Sequence, residues 1–240
     1  MASMPDKPSL PPKPITEVWK PELVRLPRLT RLRLAFRKFS HGLIKLFAWA
    51  CLRVTREGLE NIPQRGPLLI VINHLGDADV PTLISSLPFT PDALAKIELY
   101  DLPILGELID HYGVIWLHRG KPDKRALRAA LDGLAESRRI VIAPEGRYSL
   151  TGALEEGTHG AAFLAYKSGA PILPVAVRGT ENENVYGQVK RFKRAQVHMR
   201  VGKTFRLEEN ESARREAMNE GTSRIMAEIA NLLPEKYRGG

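Results

Sequence analysis

Short apolar runs of strand length recur along the chain from about residue 67 onward. Four of them are almost continuously apolar, which is typical of buried strands, and a fifth alternates as a strand near a sheet edge does. The five runs cover residues 67–73, 113–119, 139–146, 170–180 and 195–205. Helical patterns lie between or after them, over residues 122–139, 160–169 and 211–233. Strands alternating with helices predict an α/β fold, with a mostly parallel sheet flanked by helices.

Polar residues directly follow three of the predicted strands. They lie at residues 73–79, 118–120 and 144–149. Sites in sheets of this kind form in the loops beyond the carboxyl ends of the strands. We therefore expect His74, Arg119, Glu145 and Arg147 to converge on one rim of the sheet, although they are far apart in sequence.

His74 and Asp79 are the most informative pair on this rim. Residues five apart are separated by roughly 140° around a regular helix, so the two side chains do not share a helix face. They meet only if His74 lies on the loop and Asp79 lies in the first turn of the next helix. Asp79 would then hold one imidazole nitrogen and leave the other free as a general base. Since no Ser or Cys beside the pair has a nucleophile's setting, the base would act on a substrate hydroxyl.

The excess positive charge of the chain lies in its N-terminal quarter. Residues 1–56 contain 12 Lys and Arg against three acidic residues, a surplus that equals the net charge of +9 for all 240 residues. The chain is long enough for one domain with a hydrophobic core. We predict a disordered Pro-rich lead over residues 1–22, basic amphipathic membrane-interface helices over 23–56, and an α/β domain over 57–240.

The basic residues of this segment are interleaved with Leu, Phe and Trp in two helix-length stretches, at about residues 29–40 and 42–54. No stretch reaches the roughly 18 uncharged apolar residues that a spanning helix needs. Helices of this composition suit a membrane interface, where basic side chains reach anionic headgroups. Nucleic acid is the competing polyanion, but leucine is a poor partner for it. We therefore expect a membrane surface, and no nucleic acid, as a partner.

The single cysteine, Cys51, excludes a disulfide framework and a cysteine-based zinc site. It favours a reducing compartment. The N-terminus is Pro-rich and lacks the apolar core of a secretory signal. We expect a peripheral or monotopic protein on the cytoplasmic face of a membrane.

Four sequence blocks, taken in order, resemble those of the glycerophosphate and lysophosphatidic acid acyltransferases. The first consists of Asn73, His74, four further residues and Asp79, which is similar to the family signature N-H-x-x-x-x-D. The others are GVIWLHR ending in Arg119, PEGRYS over 144–149, and APILPVAV over 170–177. Together the blocks cover about residues 60–180. All four in order form a much stronger signal than the His–Asp spacing alone.

The resemblance implies transfer of a fatty acyl group from a thioester, acyl-CoA or acyl-ACP, to a hydroxyl of a glycerophospholipid acceptor. The first acceptor it implies is 1-acylglycerol-3-phosphate, with phosphatidic acid as the product. Apart from the thioester co-substrate no cofactor is expected, and no metal, because the thioester is already activated. The implied catalytic residues are His74 and Asp79, and the implied substrate-binding residues are Arg119, Glu145, Gly146 and Arg147.

One position departs from the P-E-G-T-R-S block of the family. Arg147 stands where the family has Thr, and Tyr148 stands where it has the Arg that helps to bind the acceptor phosphate. Arg119 is therefore the firmer phosphate ligand, since a planar guanidinium suits phosphate oxygens. Two other interpretations stay open. One is acyl transfer to another lysophospholipid or to a glycolipid, and the other is a non-enzymatic, membrane-tethered lipid-binding module.

Overall fold

The computed structural model describes residues 11–120, 122–208 and 214–239, which form one seven-stranded sheet with helices on both faces. The strands are β1 (Leu52–Glu57), β2 (Leu68–Ile72), β3 (Asp92–Lys96), β4 (Ile115–Leu117), β5 (Arg139–Ile142), β6 (Ile172–Arg178) and β7 (Ala195–Val201). The helices are α1 (Arg31–Cys51), α2 (Asp79–Ser86), α3 (Leu105–Tyr112), α4 (Lys124–Ala135), α5 (Gly160–Ser168), α6 (Asn182–Val189) and α7 (Arg214–Leu232). Of the helix predicted over 211–233, residues 211–213 lie outside the described residues.

The strands lie in the order β1-β7-β6-β2-β5-β3-β4. Every neighbouring pair is parallel except β6 and β7, which pair antiparallel. The prediction of an α/β fold with a mostly parallel sheet flanked by helices is therefore confirmed. Because β2, β3, β4, β5 and β6 run in one direction, their carboxyl ends share one edge of the sheet, which we call the rim.

The core is built around β2, whose sequence LLIVI is buried at every position. Leu68 and Ile70 pack on one face with side chains of α2, and Leu69 and Val71 pack on the other face with α4, α5 and α7. A central parallel strand has both faces covered, so its sequence is continuously apolar and does not alternate. Burying each such side chain stabilises the fold by about 1.5–3 kcal/mol. The rim is thereby attached to a strand that is buried along its whole length.

Strand β1 corrects two predictions made from the sequence. The alternation over residues 195–205 indicated an edge strand, but β7 is covered by β1, and β1 is the edge. The boundary of the α/β domain at residue 57 is also wrong, because the sheet begins at Leu52. Leu52 is fully buried, whereas Arg53 and Arg56 are exposed. An edge strand buries few of its side chains, so its basic residues were mistaken for a continuation of the membrane segment.

Helix α1 is one continuous helix of 21 residues, where two had been predicted. The Thr30 side chain caps its first turn by accepting a backbone N–H. Gly42 does not interrupt it, since a glycine within a helix costs only about 1 kcal/mol. Arg37 attaches the helix to the sheet, because it is buried and forms an ion pair with Asp92 at the start of β3. No helix within the described ranges is both long enough and apolar enough to cross a membrane.

Residues 11–20 belong to the predicted disordered lead, yet they run extended along the sheet rim. The Thr16 N–H donates to the Arg119 carbonyl over 3.1 Å, and the Lys20 N–H donates to Nε2 of His118 over 3.1 Å. Prolines prevent this segment from forming a helix, so its backbone groups bond to neighbouring loops instead. Residues 1–10 of the predicted lead lie outside the described residues.

Besides β1, three helices or strands carry no clear signal in the sequence, namely β3, α3 and α6. The sequence of β3, DALAK, has only small or charged residues around its single leucine, so it lacks an apolar run. Its place in the sheet nevertheless matters for function, because β3 separates β4 from β5 on the rim.

Candidate active site

His74 and Asp79 meet at the carboxyl end of β2. His74 lies in the loop after the strand, and Asp79 is the first residue of α2. His74 Nδ1 is 2.7 Å from Asp79 Oδ2. The side chain of His74 remains 23% exposed, whereas that of Asp79 is 2% exposed. The local geometry expected from the spacing is therefore observed, and it presents one edge of the imidazole at the rim.

The hydrogen bonds of Asp79 determine which nitrogen of the His74 imidazole carries the hydrogen. Asp79 Oδ2 also accepts the backbone N–H groups of Leu75 and Gly76, over 2.7 and 3.0 Å. A carboxylate oxygen that accepts two N–H groups has no hydrogen of its own to donate. The hydrogen between Oδ2 of Asp79 and Nδ1 of His74 therefore belongs to Nδ1. Nε2 is then the unprotonated nitrogen. A neutral imidazole in this tautomer can accept a proton at Nε2.

A second His–Asp pair has the same spacing but a different environment. Nδ1 of His118 is 2.9 Å from Oδ2 of Asp123, which also caps α4. Nε2 of His118, however, already accepts the Lys20 N–H, and the ring of Trp19 lies 4.6 Å from the imidazole. Both ring nitrogens are thus engaged within the protein. The His–Asp spacing alone therefore does not identify a general base. His74 differs from His118 because its Nε2 accepts no hydrogen bond from the described part of the chain.

Asn73 fixes the end of β2 just before the histidine. Its side-chain Nδ2 donates to the carbonyl of Val177 over 2.9 Å, and its Oδ1 accepts the N–H of the same residue over 2.8 Å. The amide thus replaces a backbone pair and extends the pairing of β2 with β6 by one residue. His74 consequently leaves the strand at a defined position.

Glu145 lies beneath the loop that carries His74. Its Oε1 accepts the His74 N–H over 2.7 Å, and its Oε2 accepts the Glu155 N–H over 2.8 Å. The contact arises because β2 and β5 are neighbours in the sheet, so the loops that follow them touch. Burial raises the pKa of Glu145 to about 7, despite the two N–H donors and with a further increase from the charges of Glu155 and Asp79. Gly146 follows with a φ of 73°, a conformation that favours glycine.

Within the described residues, the side chains of Arg147 and Arg119 form no hydrogen bond with His74. Arg147 is buried, with Nε 2.7 Å from Oε2 of Glu155 and Nη1 2.7 Å from the Pro11 carbonyl. Arg119 follows the edge strand β4, with β3 between it and β5, and its Nη2 is 3.0 Å from Oε1 of Glu98. Of the four residues predicted to converge on the rim, His74 and Glu145 are hydrogen-bonded to each other, whereas the two guanidinium groups are paired with Glu155 and Glu98. Their role in binding phosphate stays a prediction.

Tyr148, which stands at the Arg position of the family block, covers His74. The two ring centroids are 4.2 Å apart in an edge-on arrangement. The Tyr148 hydroxyl donates to Asp77 over 2.6 Å, and the Tyr186 hydroxyl donates to the other oxygen of Asp77 over 2.7 Å. Burial acts to raise the pKa of Asp77, but these hydrogen bonds and the charge of Lys96 outweigh it and lower the pKa. The site therefore holds a carboxylate beside the base.

Lys96 was also missed by the sequence analysis. It is the last residue of β3, and its Nζ lies 5.5 Å from the centre of the Tyr148 ring. Recognising β3 as a strand would have placed Lys96 on the rim next to the loop of Glu145. Lys96 and His74 thus contact the same aromatic ring, that of Tyr148.

Residues 53–178, slightly more than half of the chain, match the family model described as Acyltransferase. The chain belongs to the acyltransferase family. The matched region runs from β1 to the end of β6 and includes His74, Asp79 and Glu145. The resemblance to the glycerophosphate and lysophosphatidic acid acyltransferases is confirmed.

Several curated relatives carry acyltransferase names. The chain is 31% identical over 151 residues to the chloroplastic 1-acyl-sn-glycerol-3-phosphate acyltransferase of Arabidopsis thaliana, covering 60% of this chain and 42% of the relative. It is 30% identical over 147 residues to the enzyme of the same name from Borreliella burgdorferi, covering 58% and 57%. It is 32% identical over 115 residues to the lyso-ornithine lipid O-acyltransferase of Pseudomonas aeruginosa, covering 47% and 43%. The chain thus spans about half the length of these relatives.

A solved structure shares the fold over most of both chains. It is the 1-acyl-sn-glycerophosphate acyltransferase of Thermotoga maritima, with a TM-score of 0.61 and 26% sequence identity. The alignment covers 83% of this chain and 85% of that chain. The fold assignment therefore extends beyond the region matched by the family model.

Proposed function

We propose that this protein is an O-acyltransferase that moves a fatty acyl group from acyl-CoA or acyl-ACP to the hydroxyl of 1-acylglycerol-3-phosphate, giving phosphatidic acid. The observation that carries the proposal is the His74–Asp79 pair, with a buried, fully bonded carboxylate oxygen behind a partly exposed imidazole. The names of the Arabidopsis and Borreliella relatives support the same acceptor.

In the proposed reaction His74 is the general base. Its Nε2 takes the proton of the acceptor hydroxyl as that oxygen attacks the thioester carbonyl carbon. The tetrahedral intermediate then expels the thiolate, which receives the proton from the imidazolium, and the C–S bond is replaced by a C–O bond. Asp79 holds the reactive tautomer and stabilises the imidazolium while it exists. A positioned base of this kind contributes about 10²–10⁴-fold to the rate.

The oxyanion of the intermediate requires N–H donors. The N–H groups just before α2 already donate to Asp79 and Asn182. The backbone N–H groups of Arg147 and Tyr148 come directly after Gly146 and make no hydrogen bond within the described part of the chain. Because these two N–H groups are available, we propose them as the oxyanion donors. Removing one donor of this kind typically lowers kcat by about 10²–10³-fold.

Three cations could receive the acceptor phosphate. Lys96 lies beside Tyr148, whose ring contacts that of His74, and within the described residues it has no ion-pair partner. Arg119 would have to exchange its partner Glu98 for phosphate, and Arg147 would have to exchange the buried Glu155. A phosphate can compete for the partly exposed Arg119–Glu98 pair more readily than for the buried Arg147–Glu155 pair, because separating buried charges is costly. The proposal therefore ranks Lys96 and Arg119 before Arg147.

A membrane surface on the cytoplasmic side is proposed as the location of the acceptor. With 100° per residue, one face of α1 presents a stripe of exposed apolar residues, Leu32, Phe39, Leu43, Leu46 and Phe47. A neighbouring stripe is basic and consists of Arg31, Lys38 and Lys45. The opposite face, which carries Arg37 and Ala48, is buried against the domain. An apolar stripe beside a basic one suits a helix lying in an anionic membrane interface.

The test is acyl transfer by the purified full-length protein with labelled acyl-CoA or acyl-ACP. The acceptors would be 1-acylglycerol-3-phosphate, a lysophospholipid with an esterified phosphate, and a lyso-ornithine lipid. We expect labelled phosphatidic acid from the wild type and none above background from His74→Ala, which should bind lipid unchanged. Lipid binding without transfer by either donor would favour the non-enzymatic lipid-binding module instead.

A second acceptor class is favoured by Tyr148 and Asp77. The aromatic ring occupies the place of the family arginine, and the carboxylate of Asp77 stands next to it. A carboxylate there suits an acceptor headgroup with a cationic amine, such as that of the Pseudomonas relative's named substrate class. Faster transfer to lyso-ornithine lipid than to 1-acylglycerol-3-phosphate would select this alternative. Tyr148→Arg should then shift the preference back toward the phosphomonoester.

A further inference from the structure

Ile104 has a backbone conformation that β-branched residues rarely adopt. Its φ is 65° and its ψ is −54°, and the N–H of Leu105 donates to the carbonyl of Pro103 over 2.7 Å. This is a γ-turn of the positive-φ kind, which is rare and strained. The side chain at its centre is 75% exposed, so packing within the protein does little to offset the strain. A strained backbone that holds an apolar side chain in water points to a binding function.

Three further large apolar side chains are exposed around this turn. We call the group the γ-turn patch, and it comprises Leu102, Ile104, Leu105 and Leu108. Leu105 and Leu108 lie on the same face of α3 as Tyr112, since residues three and four apart are neighbours on a helix. At Tyr112 that face is covered by α1, where the guanidinium of Arg37 lies 4.7 Å from the ring centre. The patch therefore continues the surface on which α1 rests.

The γ-turn patch also lies next to the rim, the edge of the sheet that carries the active site. The chain leaves β3 at Lys96 on the rim, makes a short 3-10 turn, and enters the γ-turn directly. The γ-turn patch therefore extends the rim. The basic stripe, by contrast, belongs to α1.

We propose that the γ-turn patch is a second membrane-inserting element that enters the interfacial region of a phospholipid bilayer together with the apolar stripe of α1. This inference rests on the membrane surface in the proposed function. The charges beside the patch are acidic, namely Glu107 and Asp101, and Asp101 is ion-paired with Lys20. Attraction to anionic headgroups therefore cannot come from the patch, which contributes by burying apolar surface. The cations of α1 supply the electrostatic part.

Two contacts with the membrane fix the orientation of the domain more closely than one contact does. A single interfacial helix orients the protein about the helix axis only through its one apolar stripe, so the domain can still tilt about that axis. A second apolar contact away from the axis limits this tilt. Because the patch extends the rim, its insertion directs the rim, and with it His74, toward the bilayer in which the acceptor resides.

The test is vesicle binding by the full-length protein and by Ile104→Asn. Asparagine tolerates a positive φ, so this change removes the apolar side chain and should not unfold the turn. We expect about tenfold weaker partitioning into phosphatidylcholine vesicles with 20 mol% phosphatidylglycerol, at 50 mM and at 500 mM NaCl alike, since apolar insertion is insensitive to screening. Lys38→Gln combined with Lys45→Gln should weaken binding at low salt only. Ile104→Leu should keep nearly full binding.

Leu59→Asn is the matched control, because it makes the same kind of change at an exposed leucine between the end of β1 and the start of β2, away from the rim. It should bind like the wild type. Equal partitioning of Ile104→Asn and wild type would overturn the proposal, and so would Ile104-dependent self-association on gel filtration without vesicles. An activity assay distinguishes the membrane proposal from the proposed acyl transfer. Ile104→Asn should lose transfer to an acceptor embedded in vesicles but keep transfer to an acceptor dispersed in detergent. If the wild type transfers to neither, the proposed reaction fails, while the binding data still decide the membrane contact.

Discussion

Replacing Glu145 with glutamine should change how the stability of the protein depends on pH. The carboxyl group is fully buried under the His74 loop, and burial raises its pKa from the ordinary 4.5 to about 7. Because one pKa unit equals 1.36 kcal/mol, ionising this group costs the folded state about 3.4 kcal/mol more than the unfolded chain. Since the pKa is raised on folding, the protonated form stabilises the fold below pH 4.5. That contribution is lost as the pH rises through about 7.

The glutamine variant lacks this titration, so the two proteins should diverge with pH. Between pH 5 and pH 8 the wild type should lose about 2.5 kcal/mol relative to Glu145→Gln. Glutamine has only one acceptor oxygen for the N–H groups of His74 and Glu155, so the variant should be less stable by about 1–3 kcal/mol at pH 5. The expected result is a clear deficit of the variant at pH 5 that disappears, or reverses, at pH 8.

Urea unfolding followed by tryptophan fluorescence at half-unit pH steps measures this difference directly. Glu22→Gln, at an exposed position, is the control, and its difference from wild type should stay within about 0.5 kcal/mol across the range. A constant difference between wild type and Glu145→Gln from pH 5 to pH 8 would refute the reasoning. It would mean that the two backbone N–H donors outweigh burial and keep Glu145 ionised.

Three further outcomes follow from pairs of side chains described above. Asp79→Asn should lower kcat by about 10²–10⁴-fold, because an amide cannot serve all three donors and hold the reactive tautomer of His74; kcat within threefold of wild type would contradict this role. Arg37→Met should cost about 3–5 kcal/mol in urea unfolding, because buried Asp92 then keeps only the longer ion pair with Arg138, at 3.9 Å, and adding Asp92→Asn should restore part of the loss. Arg147→Ala should also cost about 3–5 kcal/mol, through Glu155; an unchanged stability with a raised acceptor KM would instead place Arg147 at the phosphate.

The local chemistry of the site could be predicted from the sequence. A buried strand, a short turn and a helix start lie within about a dozen residues, so the His–Asp spacing almost determines how the two side chains meet. The continuous apolar runs likewise predicted the central parallel strands, because strands covered on both faces contain few polar residues. These features depend on neighbours along the chain, and that is the information a sequence pattern contains.

The tertiary structure decided which of the polar residues on the rim came together. Glu145 reaches His74 because β2 and β5 are neighbours, whereas Arg119 does not, because the inconspicuous strand β3 lies between β5 and β4. Likewise His118 is excluded as a base only by Lys20, which is 98 residues away and belongs to a segment predicted to be disordered. The order of the strands, and long-range hydrogen bonds such as that from Lys20 to His118, depend on how all the elements pack around one core. The periodicity of a single element contains no record of which element becomes its neighbour.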